Sequence, residues 1–414
     1  MRKFNIPDKY RSSIISEIKK IRKEAKDSRA DFSPTELDFG SIRFFTARHF
    51  GFCFGVENAI ETVYDIVANN PDKTIYLLSE MIHNPNVNAD LEDMGIRFIQ
   101  DTKGNHYIDW DQINADDIVV IPAFGTTLEI EALLSSKGIS TAKYDTTCPF
   151  VGRVWKRSKN LGEKDYTIII HGKLDHEETR ATFSHAADTG HALVIQNMDE
   201  AKKLAEVIRS EDPDEVFETY FGHMRNRTAG FRASQHLAKV GVVNQTTMLA
   251  TETRAIAEFI KEVMAERFVE METKEYFADT KDTLCYATSD NQTSLYELLE
   301  VPADLAIVVG GYKSANTTHL VELCEHKLPT FFISSAEKIL SKESIRHFDR
   351  IKKEENVSAF LPSSERPTIL ITSGASCPDA VVEKVIEKIL SYYPEARSVD
   401  LVMESVKESA VMDE

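Results

Sequence analysis

The chain has 414 residues, 42% of them hydrophobic and 28% charged, which is the profile of a globular protein long enough for more than one domain. Its formal charge of −18 argues against nucleic acid as a partner, because phosphate backbones need concentrated lysine and arginine. Five cysteines, an odd number at wide spacing, do not read as a disulfide framework and point instead to metal binding or catalysis. No apolar run approaches the roughly 20 residues of a membrane span, so no membrane association is expected. The first residues lack an apolar leader, which makes the cytoplasm the default location.

Residues 1–40 read as an N-terminal helical extension. Pro7-Asp8 starts a helix on which Ile14, Ile15, Ile18 and Ile21 form one apolar stripe, ready to dock on the body or on a second subunit. From residue 41 onward, strand-length apolar runs alternate with helical patterns. The runs are Ile42–Ala47, Ile75–Leu78, Ile118–Ile121, Thr167–Ile170, Ala192–Ile195, Val240–Val243, Leu305–Val309, Thr330–Ile333 and Thr368–Thr372. This alternation predicts an α/β fold with mostly parallel sheets, in several similar units. We divide the chain into units at 41–147 with Cys53, 148–284 with Cys148, and 285–395 with Cys285, followed by a C-terminal tail at 396–414. Residues 210–238 are rich in charge and aromatics, lack a clean period, and read as a surface insertion within the second unit.

The strands end in similar polar turns: His83-Asn84-Pro85, Phe124-Gly125-Thr126-Thr127, His171-Gly172, Asn244-Gln245-Thr246-Thr247, Gly310 to Asn316, and Thr372 to Ser376. The carboxyl ends of parallel strands, followed by helix N-termini, are where α/β folds bind ligands and especially anions. One such turn is ordinary turn chemistry, but the set favours a shared polar pocket. Neither a P-loop nor a dinucleotide-type glycine fingerprint occurs.

Cys148 precedes Pro149 at a helix start, where the dipole favours a thiolate. Cys53 in GFCFGVENAI and Cys285 in DTLCYAT also stand just before helices. Three thiolates from distant segments could hold zinc with a histidine, although structural zinc sites usually take close ligand pairs. They also suit a cubane iron–sulfur cluster with one iron open to a substrate oxygen. Cys324 lies in an apolar helical run and reads as core, and Cys377 has no partner motif. In DHEETRATFSH, His176 and Glu178 fall at a helix start. Beside a redox metal, His176 is an anion ligand and Glu178 a proton donor. Two other readings stay open: a non-redox phosphosugar- or nucleotide-binding α/β protein with structural cysteines or zinc, and a zinc-stabilised interaction protein.

The ordered motifs GFCFGVENAI, IHN, DTTCP, HGxxxHEET, NQTT, CYAT, SANTT and SGASCPD resemble the LytB/IspH family of 4-hydroxy-3-methylbut-2-enyl diphosphate reductases, over roughly residues 41–395. The resemblance implies three α/β units around a [4Fe–4S] cluster, one per chain, with one iron lacking a protein ligand. It implies reductive removal of the allylic hydroxyl of a small diphosphate substrate, using electrons from a ferredoxin or flavodoxin. By motif it makes Cys53, Cys148 and Cys285 the cluster ligands, and His83 and His176 the diphosphate-binding histidines. Ser314, Asn316 and Ser376 become further diphosphate contacts, Glu178 the proton-relay acid, and Thr246 the hydroxyl near the substrate alcohol. Two positions depart from the family pattern: Phe124 replaces a histidine of many bacterial members, and Ala315 replaces the second serine of an SSN motif. A proton-relay role is therefore impossible at position 124. PAFG, NQTTM and the N-terminal extension resemble the branch found in photosynthetic organisms, whereas CYAT does not.

Single serine replacements of Cys53, Cys148 and Cys285 are expected to lower the iron and acid-labile sulfide of anaerobically purified protein. Replacements of Cys324 and Cys377 should leave both unchanged. Normal iron after any one of the first three would remove that residue from the cluster.

Overall fold

Runs of Val, Ile and Leu bounded by polar turns become buried strands when helices cover both faces of a parallel sheet. The computed structural model describes residues 4–24, 31–278 and 283–412, and it is α/β with mostly parallel sheets. The expected runs form strands at Arg43–Thr46, Ile75–Leu77, Ile118–Val120, Thr167–His171, Ala192–Ile195, Val240–Asn244, Leu305–Val309, Thr330–Ile333 and Thr368–Ser373. The chain divides into two compact units. One combines Met1–Glu57, His83–Val87 and Tyr286–Glu414; the other combines Asn58–Ile82 and Asn88–Cys285.

In the first unit a five-stranded sheet runs in the order Thr35–Asp38, Arg43–Thr46, Thr368–Ser373, Leu305–Val309, Thr330–Ile333. Its first pair is antiparallel and the rest are parallel. The strand Arg43–Thr46 therefore lies beside Thr368–Ser373, joining the two ends of the chain in one sheet. The isoleucine stripe of the extension forms the helix Ser13–Glu24, which buries Ile14, Ile15 and Ile18. It packs on the helices Asp379–Leu390 and Val399–Met412 of its own unit. Lys19 pairs with Asp379 at 2.7 Å, Lys407 with Glu17 at 2.6 Å, and the Ser13 hydroxyl donates to Glu383 at 2.9 Å. An antiparallel hairpin, Ser344–Asp349 with Glu354–Ala359, also belongs to this unit. Its strands alternate polar residues with single apolar ones such as the buried Ile345, so no apolar run announces them.

The second unit holds two sheets, both parallel. One is three-stranded, in the order Arg97–Phe98, Ile75–Leu77, Ile118–Val120. The other is four-stranded, in the order Ala192–Ile195, Thr167–His171, Val240–Asn244, Phe277–Ala278. Residues 210–238 are not a surface insertion. They form the helices Pro213–Phe221 and Ala233–His236 and bury Phe217, Phe221 and Leu237 in the core beside the four-stranded sheet. Asn226 between them is wholly buried, its amide donating to the Val194 carbonyl at 3.0 Å. Short helices broken by turns carry no continuous period, so their apolar face is hidden from a scan along the chain.

Truncating Ile15, which has 0% exposure, should cost about 2–4 kcal/mol, since it leaves a cavity as well as losing transfer energy. Ile21→Ala, at a half-buried position, should cost clearly less. Urea unfolding midpoints of the two variants check this, and equal shifts would contradict a docked stripe.

Candidate active site

The second unit gathers its polar residues at the carboxyl ends of its strands. The turn before Cys148 is closed by Asp145, whose carboxylate accepts the Thr147 N–H at 2.8 Å. Cys148 then caps the helix Pro149–Gly162, with proline in the first turn where no N–H is missed. Its backbone N–H donates to the Ala123 carbonyl at 2.9 Å. The expected thiolate is not the favoured form of the free side chain. Burial pushes the Cys148 thiol up to about 11, with the nearby Cys285 and Glu178 adding to the rise. The helix-start N–H groups of Phe150 and Val151 oppose that rise but do not overcome it. Cys285 is itself buried, one residue before the helix Tyr286–Leu298.

His176 caps the helix Glu177–Ala187, its Nδ1 accepting the Glu178 N–H at 3.2 Å. An imidazole nitrogen that accepts an N–H carries no proton, so the ring's own N–H lies at Nε2. The ring meets Phe124 edge to face, centroids 5.5 Å apart at 87°. Glu178 has 1% exposure and accepts hydrogen bonds from both the backbone N–H and the hydroxyl of Thr246, the latter at 3.0 Å. Gln245 was not singled out by the sequence, yet it braces this corner. Its Oε1 accepts from the Lys173 N–H at 3.1 Å and the Thr179 hydroxyl at 3.0 Å. Its place between a strand end and two threonines was the available signal.

In the first unit, Cys53 donates its N–H to the Ala375 carbonyl at 3.2 Å, while the Ala375 N–H donates to the Asn316 side-chain oxygen at 2.9 Å. One residue thus links the Cys53 loop to the start of the helix Ala315–Glu325. Ser314 caps that helix, and its hydroxyl lies 3.5 Å from that of Ser376. Ser376 also reaches the His83 carbonyl at 3.5 Å, and the Asn84 amide donates to the Ser376 carbonyl at 2.8 Å. A side chain at Gly311 would lie 2.0 Å from the His83 carbonyl, so only glycine permits that approach. The Asn316 amide nitrogen is buried and has no partner among the described residues. A buried donor left open in this way signals an external acceptor.

The structure therefore groups Cys53, His83, Ser314, Asn316 and Ser376 in one unit, and Cys148, Cys285, His176, Glu178 and Thr246 in the other. Within each unit, among the described residues, no three His, Cys, Asp or Glu side chains stand as a ready metal-chelating group. Cys324 and Cys377 are buried in the apolar core of the first unit.

Parallel strands followed by polar turns, thiols before helix starts and a buried acid define an α/β protein of the kind that carries its chemistry at strand ends. Residues 44–390 match the LytB protein family, and the chain belongs to that family, as the motifs led us to expect. The 4-hydroxy-3-methylbut-2-enyl diphosphate reductase of Synechocystis sp. is 36% identical over 383 residues, covering 92% of this chain and 95% of that protein. The protein of the same name from Synechococcus sp. strain WH7803 is 37% identical over 356 residues, 86% of each chain. The solved reductase of Plasmodium falciparum has the same fold, with a TM-score of 0.61 at 22% identity, covering 89% of this chain and 99% of that one.

Gly311→Ala should force the His83 carbonyl aside and cost about 1–3 kcal/mol, as overpacking does. Gly152→Ala, in a helix with nothing within 4 Å of the added carbon, should be neutral or stabilising. Thermal unfolding of the two variants distinguishes the sites, and similar melting temperatures would contradict the close approach.

Proposed function

We propose that this chain reduces (E)-4-hydroxy-3-methylbut-2-enyl diphosphate to isopentenyl and dimethylallyl diphosphate, the last step of the non-mevalonate isoprenoid route. The overall change takes two electrons and two protons, and the allylic hydroxyl leaves as water. The observation that carries this reading is that Cys148 lies within electrostatic reach of Cys285 and of the buried Glu178, which Thr246 holds by a hydrogen bond. A site that burial makes hostile to a free thiolate, yet whose helix-start N–H groups favour negative charge on the sulfur, suits a sulfur bound to a metal cation. On this donor chemistry Cys53, Cys148 and Cys285 would hold a [4Fe–4S] cluster, leaving one iron without a protein ligand. When bound, the cluster supplies electrons and Lewis-acid polarisation of the substrate hydroxyl.

The chain's own groups bind, orient and move protons. His83, His176, Ser314, Asn316 and Ser376 are our proposed diphosphate contacts. The open amide of Asn316 and the Nε2–H of His176 are the donors such an anion needs. Thr246 donates its hydroxyl hydrogen to Glu178, which leaves its oxygen lone pairs to accept from the substrate alcohol. Reversing that hydrogen bond passes a proton from the Glu178 carboxyl through Thr246 Oγ1 to the departing oxygen.

Electrons would come from an acidic carrier such as a ferredoxin or flavodoxin. The helix that starts after Cys148 carries Arg153, Lys156, Arg157 and Lys159 and no acid, in a chain of net charge −18.

Glu178→Gln keeps the shape of the side chain but has no proton to give. The cluster-replete variant should bind substrate and lose at least ~100-fold in turnover, the usual worth of a positioned acid. Near-normal turnover at full iron content would sink this assignment.

A further inference from the structure

Phe124 stands where the proton-relay reading has no use for it, yet its ring is the aromatic neighbour of a diphosphate histidine. We infer that Phe124 is a positioning residue that holds the His176 ring with its Nε2–H presented to the diphosphate. This rests on the reading of His176 given above.

A histidine ring has two torsions to fix. The Glu178 N–H, donated to Nδ1 at 3.2 Å, sets which edge faces the helix start. The edge-to-face contact with Phe124 sets the plane of the ring, since such pairs favour a near-perpendicular arrangement like the 87° found here. Neither restraint alone stops the imidazole from rocking about its other axis.

Phe124 can act as a stop only if its own loop cannot yield, and that loop is fastened on several sides. The Ala123 carbonyl accepts the Cys148 N–H at 2.9 Å, and the Ala123 N–H donates to the Met81 carbonyl at 3.3 Å. Gly125 holds a left-handed conformation, φ +75°, with the Trp155 ring where its side chain would be, at 2.2 Å from an added carbon. Trp155 in turn donates its indole N–H to Thr182 at 3.2 Å, on the helix that His176 caps. Beyond the turn, the Leu128 N–H donates to Ser184 of the same helix at 3.0 Å. One loop is thus bonded to the backbone of a proposed cluster ligand, locked to the His176 helix, and in ring contact with His176. Anion seat and cluster seat share a single brace.

The test uses cluster-replete, anaerobic enzyme, with inorganic diphosphate as a competitive inhibitor, in Phe124→Ala, Phe124→Leu, Phe124→Tyr, His176→Ala and the double variant Phe124→Ala/His176→Ala. His176→Ala should weaken diphosphate at least ~10-fold, and Phe124→Ala about 5-fold, with KM raised more than kcat is lowered. Phe124→Leu should resemble Phe124→Ala because bulk without a ring face does not align the imidazole. Phe124→Tyr should stay within about 2-fold of the parent. In the His176→Ala background, Phe124→Ala should add nothing, which is the non-additivity of a residue acting through another. Additive losses in the double variant would overturn the inference while leaving His176 as a diphosphate ligand. An unchanged inhibition constant in His176→Ala would overturn the reading of His176 and the inference with it. Should Phe124→Ala fail to fold, the same cycle with Phe124→Leu decides the matter.

Discussion

A buried carboxyl group must be hydrogen-bonded, because leaving such a polar group without partners costs about 1–3 kcal/mol. Glu178 is such a group, and Thr246 supplies it with two donors, its backbone N–H and its hydroxyl. It begins the helix after the strand Thr167–His171, while Thr246 follows the strand Val240–Asn244, and these strands are direct parallel neighbours. The pair therefore ties two strand-to-helix turns together at the depth where chemistry is proposed. Gln245 repeats the tie from the same turn, reaching Lys173 and Thr179 on the other side. Parallel pairing brings the turns to one edge, and the acid keeps them from drifting apart.

The other unit, among its described residues, solves the same problem without a buried acid. Ala375 accepts from Cys53 and donates to Asn316, so a loop carbonyl and amide position a proposed ligand and a proposed anion contact. Gly311 lets the His83 carbonyl come into contact, and Ser376 reaches the same carbonyl. These are main-chain devices. They make the alignment of Cys53, His83, Ser314 and Ser376 depend on backbone geometry that side-chain identities merely permit. The N-terminal helix contributes from outside: Lys19, bonded to Asp379 and to the Phe50 carbonyl, holds the chain just before Cys53.

Much of the site was legible because its chemistry is local. Cysteine before a helix, histidine as an N-cap two residues before an acid, and serine or threonine after a strand are short patterns, and each formed the element that the pattern implies. The free Cys148 thiol shows where local reading stops, because burial raises it. A helix dipole is visible in sequence, but the burial that outweighs it depends on what the rest of the chain places around the sulfur. Residues 210–238 were misread for a similar reason. Phe217, Phe221 and Leu237 face a sheet whose strands lie elsewhere in the chain, and two short helices leave no period to reveal them.

Sequence alone determined the alternation of strand and helix, the parallel class of the sheets, the family, and the residue types at each turn. Those follow from the order of side chains along a few consecutive residues, where period, turn chemistry and motif spacing act. Tertiary structure decided which turns meet. It set Glu178 against Thr246, Cys148 near Cys285, Ala375 between Cys53 and Asn316, and Phe124 on the ring of His176. These contacts join residues far apart in the chain. They exist only once apolar burial has stacked the strands of each unit and brought the polar strand ends within that unit together.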